Sequence, residues 1–157
     1  MLQLVDDFFS IKNDPRQLEV TDDILEALIK LHPASVSEYA DGAGPVCWIL
    51  MIPTSEKVME LFLNDKIFES DILNLSIAEK NIDAIYLCSA IVLPEFRNQG
   101  IAKQISIAAI EKMQFTFPIK ILFTWPFSNE GRNLGNSIAK TLKLPLKLKE
   151  NENSYPV

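Results

Sequence analysis

Apolar residues recur along the chain at two spacings, which sort it into helices and strands. Thr21 to Leu31 starts on a capping residue, spaces its apolar positions at helical intervals and stops at His32-Pro33, so a helix is predicted there. Asp41-Gly42-Ala43-Gly44 reads as a turn. Val46 to Ile52 is a continuous apolar run bounded by Pro45 and Pro53, the pattern of a buried strand. Ser55 to Asn64, with Val58, Leu61, Phe62 and Leu63 as its apolar face, reads as a helix, and Glu69 to Ala78 as another.

The second half is more regular. Ala84 to Leu93 is almost entirely apolar and β-rich, which predicts a central strand covered on both faces and ended by Pro94. From Gly100 to about Phe115, Ile101, Ile105, Ala108, Ala109 and Met113 recur at helical spacing, and Ile119 to Trp125 follows as a strand. Ser128-Asn129-Glu130 opens a helix running to about Leu142, its first turns weakened by Gly131 and Gly135, and a last strand begins at Leu146. Strand, loop, helix, strand is a βαβ order. With no repeat or flexible linker in view, residues 1–157 are expected to form one α/β domain.

Composition narrows the function. The 157 residues, 48% of them hydrophobic, suffice for one core, and a formal charge of −6 argues against nucleic acid or an anionic membrane as partner. The charge is split, however: residues 1–96 hold six basic and seventeen acidic side chains, net −11, whereas residues 97–149 hold nine and two, net +7. An anionic ligand met by the second half would be hidden in the average. Cys47 and Cys88, 41 positions apart in strand-like runs, fit neither a disulfide framework nor a zinc site, and no metal is expected. The first residues lack a secretory signal and no apolar run approaches the roughly 18 residues of a membrane span, so the expectation is a cytoplasmic protein without a membrane partner.

The segment Leu93-Pro94-Glu95-Phe96-Arg97-Asn98-Gln99-Gly100-Ile101-Ala102 joins a buried strand to a helix. The first backbone N–H groups of a helix have no partner within it, and its dipole is positive there, so such a junction can hold a phosphate. Gly100 would allow a close backbone approach, Ala102 keeps bulk away, and Arg97 and Lys103 add charge. The dinucleotide fingerprint needs three spaced glycines and the P-loop a Gly-Lys-Ser/Thr ending; this loop has neither.

Arg97-x-x-Gly100-x-Ala102, preceded by Val92-Leu93-Pro94-Glu95-Phe96, resembles the acetyl-CoA loop of the GCN5-related N-acetyltransferases, over about residues 84–125 with the flanking strand and helix. The resemblance implies that family's fold, a mixed twisted sheet with helices on both faces. It also implies an acceptor-side half of about residues 1–83 and an acetyl-CoA-binding half of about 84–157. Val92 and Leu93 would pair with the pantetheine arm, and Arg97, Asn98, Gln99, Gly100, Ile101, Ala102 and Lys103 would hold the pyrophosphate. Asn129 or Asn133 would serve as the family's asparagine near the pantetheine. The implied activity is transfer of an acetyl group from acetyl-CoA to an amine of a small molecule or peptide by direct attack, in a monomer or homodimer.

The match thins where the proton chemistry should be. The family's thiolate-protonating tyrosine falls on Ala139 or Lys140, leaving Tyr86 and Tyr155 as substitutes. Glu95 suits a turn or solvent, and Glu79 and Asp83 a surface. Cys88 and Ser89 alternate along a strand, so one of them could face the acceptor. His32 reads as a cap or surface residue, and Trp125 and Phe127 as core packing. A second reading therefore stands beside catalysis, a non-catalytic acyl-CoA-binding or interaction module.

Overall fold

The computed structural model describes residues 18–150. The sheet has five strands: β1 Val36–Asp41, β2 Gly44–Thr54, β3 Ala84–Val92, β4 Ile121–Thr124 and β5 Leu146–Leu148, lying side by side in chain order. β1, β2 and β3 are antiparallel neighbours, while β4 runs parallel to β3 and β5 parallel to β4. The fold is thus α/β with a mixed open sheet.

Helices cover both faces. On one lie α1 Asp22–Leu31, α2 Glu56–Leu63 and α3 Glu69–Ile77, whose Leu25, Leu28, Val58, Phe62 and Ile72 pack on Trp48, Leu50, Ile52, Tyr86 and Phe123 of the sheet. On the other lie α4 Ile101–Thr116 and α5 Asn129–Leu142, whose Ala109, Ile110, Met113 and Ile138 pack on Cys47, Ile49, Met51, Ile85 and Leu122. Alternate residues of β2 therefore serve different cores, and for that reason its sequence is apolar throughout.

Local chemistry sets the helix starts. Thr21 Oγ1 accepts from the Ile24 amide at 3.2 Å, Ser55 Oγ from Val58 at 3.2 Å, and Ser128 Oγ from Gly131 at 3.0 Å. At α3, Asp71 Oδ2 accepts from the Phe68 amide at 2.8 Å. His32 closes α1 and is buried, not at the surface: its Nδ1 accepts from the Ala34 amide at 3.0 Å, and its Nε2 lies 3.1 Å from Thr116 Oγ1 at the far end of α4. Burial lowers its pKa from 6.5.

β1 pairs with β2 across the Asp41–Gly44 turn and is exposed from Glu38 onward. At the opposite edge, β5 is tied to α2 by side chains. Lys147 Nζ meets Glu60 Oε1 at 3.1 Å; Lys149 Nζ donates to Phe62 O at 2.8 Å, pairs with Asp65 and sits 4.8 Å from the Phe62 ring centroid.

Two irregularities set the shape of β3 towards its carboxyl end. Pairing with β4 ends at Leu87 and Thr124, where Thr124 Oγ1 donates to Leu87 O at 2.8 Å, while β3 continues through Val92 without it. On the β2 side, Leu50 faces Ser89 but Met51 faces Leu87, so Cys88 is an extra residue in a β-bulge.

Candidate functional site

A cleft of about 750 Å³ opens where β3 and β4 part. It lies at the carboxyl ends of two parallel strands, where both following helices begin, the usual ligand position in α/β sheets. One wall is the end of β3, the loop after it and the first turns of α4 and α5. The other carries Leu18, Val20 and Glu69.

The loop is built for its shape. Pro94–Phe96 forms a single tight turn, after which Arg97 is extended and donates from Nε to Val92 O at 3.0 Å. Asn98 and Gly100 both take left-handed backbone, φ 63° and 77°. A Cβ on Gly100 would touch nothing within 4 Å, so conformation rather than space calls for glycine here. The first bond of α4 runs from the Gln104 amide to Gly100 O at 3.0 Å, which leaves the Ile101, Ala102 and Lys103 amides ahead of the helical ladder. No side chain caps this start and no acidic residue lies in its first turn.

Of the residues singled out in the sequence, Val92, Arg97, Asn98, Gly100, Ile101, Ala102 and Lys103 line the cleft together. Leu93 packs inward against both cores, and Gln99 is exposed with its side chain turned to Glu95 O at 3.3 Å. Asn129 and Asn133 are exposed on α5, which lines the cleft through Glu130, Gly131, Leu134, Gly135 and Ile138, with its cap Ser128. Ala139 is buried among core residues.

The bulge brings Cys88 and Ser89 to the cleft side by side, where simple alternation would have turned one away. Burial, then the negative charge of Glu69, hold the Cys88 thiol well above its usual pKa, and burial pushes Cys47 up to about 11; neither favours a thiolate. Trp125 packs against the core and lines the cleft; Phe127, half-exposed, lies 4.6 Å from it between ring centroids at the cleft mouth, a correction to its expected core role. Glu95 is exposed. Asp83 accepts from the Glu56 amide at 2.9 Å and lies 3.5 Å from Lys120 Nζ at the surface. Tyr155 lies outside the described residues.

Glu69 is the functional candidate that sequence reasoning misses. It reads as one more acidic residue in a helix's first turn, yet it is buried. Its Oε1 accepts from the Leu18 amide at 2.7 Å and its Oε2 from the Tyr86 hydroxyl. Tyr86 is fully buried, and burial, with the nearby Glu69, raises its pKa well above 10.0, so the phenol stays protonated. Among the described residues, no group of three or more His, Cys, Asp or Glu could hold a metal ion, and no helix is long and apolar enough to cross a membrane.

No family model matches the chain, and neither the curated proteins nor the solved structures contain a match to it.

Proposed function

We propose that the chain is an acetyl-CoA-dependent N-acetyltransferase of the GCN5-related kind, with the cleft between β3 and β4 as its coenzyme site. The observation that carries the reading is the start of α4, where uncapped amides and two cations border a cleft between parting strands. Three fixed amides, the helix dipole and the charges of Arg97 and Lys103 suit a pyrophosphate. Beyond Leu87, β3 has no β4 neighbour, so Val92 suits main-chain pairing with an amide-bearing arm. Acetyl-CoA would supply the activated thioester; the protein positions it and excludes water with Trp125, Leu134 and Ile138.

Calorimetry with purified protein tests this reading. Acetyl-CoA should bind, and Arg97→Glu should abolish the heat; silence from the wild type at millimolar coenzyme would sink it.

A non-catalytic acyl-CoA-binding module is the second reading. It is favoured by the apolar Leu134 and Ile138 and by Gly135 on the α5 side of the cleft, which offer no side-chain proton for a departing thiolate, and by Ala139, which is buried. Free-thiol release from acetyl-CoA in the presence of amines separates the two.

A further inference from the structure

The cleft does not stay on one face of the sheet. Its lining draws on both cores, with Leu134 and Ile138 from the α4–α5 side and Leu18, Val20, Leu50 and Ile91 from the α1–α3 side. The parted ends of β3 and β4 form the passage between them. We propose that the α1–α3 end of this passage receives the aliphatic chain of an acyl-CoA longer than acetyl-CoA, butyryl to hexanoyl in length; the proposal rests on the coenzyme site of the reading above.

Three observations carry it. The first is direction. A pyrophosphate at the start of α4 sends its arm inward from Val92 along the part of β3 that has no β4 neighbour. That stretch closes at a fork, where the Thr124 hydroxyl donates to Leu87 O at 2.8 Å and the two strands pair. An arm that reaches the fork has to turn towards one face of the sheet.

The second is the room on each face. On the α4–α5 side Gly135 is packed so that even a Cβ would touch the Leu146 and Thr124 side chains, at 3.4 and 3.7 Å. On the other side the cleft continues between Leu18, Val20, Leu50, Ile91 and Trp125.

The third is the chemistry of that end. Leu18, Val20, Leu50 and Ile91 are 5–7% exposed, so a chain lying among them leaves water on most sides, and each methylene it buries tightens the complex. The polar groups close by do not oppose a hydrocarbon: Glu69 is engaged by the Leu18 amide and the Tyr86 hydroxyl, and Cys88 stays a neutral thiol through burial and the Glu69 charge. An acetyl group ends in one methyl and reaches little of this surface.

Calorimetry with CoA, acetyl-CoA, butyryl-CoA and hexanoyl-CoA tests the proposal, with n-hexylamine titrated into the acetyl-CoA complex as a separate arm. Butyryl-CoA and hexanoyl-CoA should bind progressively tighter than acetyl-CoA, by about threefold per methylene at first and at least about 20-fold in all for hexanoyl-CoA. Val20→Trp, which fills this end, should lower the hexanoyl-to-acetyl affinity ratio at least about fivefold. If that variant loses its near-ultraviolet circular dichroism, Ile91→Phe takes its place with the same expectation. Hexanoyl-CoA no tighter than acetyl-CoA overturns the proposal and leaves the coenzyme site standing; saturable hexylamine binding beside such a flat series gives this end to an apolar acceptor instead. A ratio that the folded variant leaves unchanged also overturns it, since the chain would then lie elsewhere. Absence of binding by all four thiol and thioester ligands removes the coenzyme site and the proposal together.

Discussion

α4 and α5 begin in the same place, beyond the carboxyl ends of neighbouring parallel strands, yet their first turns are built on opposite plans. α5 completes itself: Ser128 Oγ takes the Gly131 amide, and Glu130 puts negative charge at the positive end of the dipole. α4 starts on a left-handed glycine, has no side-chain cap, and places Lys103 where a cation is unfavourable. A local arrangement that forgoes its own stabilisation is where an external partner is expected. The difference separates a helix start that serves the fold from one open to a ligand.

The comparison can be broken most directly by charge. Arg97→Glu combined with Lys103→Glu should weaken acetyl-CoA by at least about 100-fold in calorimetry, while Ser128→Ala should stay within about threefold. Equal losses would erase the distinction. Gly100→Ala asks whether the backbone matters apart from charge. Its Cβ meets nothing, so the cost is the left-handed conformation alone, about 1–2 kcal/mol, read as a fall in Tm with weaker coenzyme binding. Ser128→Ala should cost about 1 kcal/mol, or about 2–4 °C in Tm, with little effect on binding.

The smallest effect concerns the far end of α4, where His32 meets Thr116. Burial lowers the folded pKa of His32, so just below pH 6.5 the unfolded chain binds more protons than the folded one. Stability should therefore fall as pH drops from 6.5 until folded His32 also protonates and ceases to accept the Ala34 amide. Urea midpoints between pH 7.5 and 5 would show this slope, and His32→Asn should flatten it without altering coenzyme affinity.

Most elements are legible in the sequence because their signals are local. Thr21, Ser55 and Ser128 announce helix starts, and the runs in β2 and β3 are apolar because both faces are covered. β1 is not legible, since Val36–Asp41 is an edge strand largely open to solvent and carries neither spacing. The phosphate-like loop is visible from Arg97, Gly100 and Ala102 as a contiguous pattern. Glu69 is not, because the partners it meets include Leu18, 51 positions away, and Tyr86, 17 away, and nothing in α3's sequence signals that meeting. Phe127 reads as core for the same reason: only the parting of β3 from β4 leaves it at an opening.

The bulge at Cys88 has a consequence beyond the cleft. Counting from Ala84, even positions of β3 face the α1–α3 core, as Tyr86 and Cys88 do, and odd positions the α4–α5 core, as Ile85 and Leu87 do. After the bulge the count reverses, and Ile91 faces the first core while Val92 faces the second. Cys88 thus acts as a phase shifter between two rulers of the same pitch. Excising that one residue would let Leu87 and Ser89 follow each other in plain alternation opposite Met51 and Leu50, with Ile91 and Val92 still on their present sides opposite Trp48 and Cys47, so a strand one residue shorter would keep both cores and lose only the bulge at the cleft.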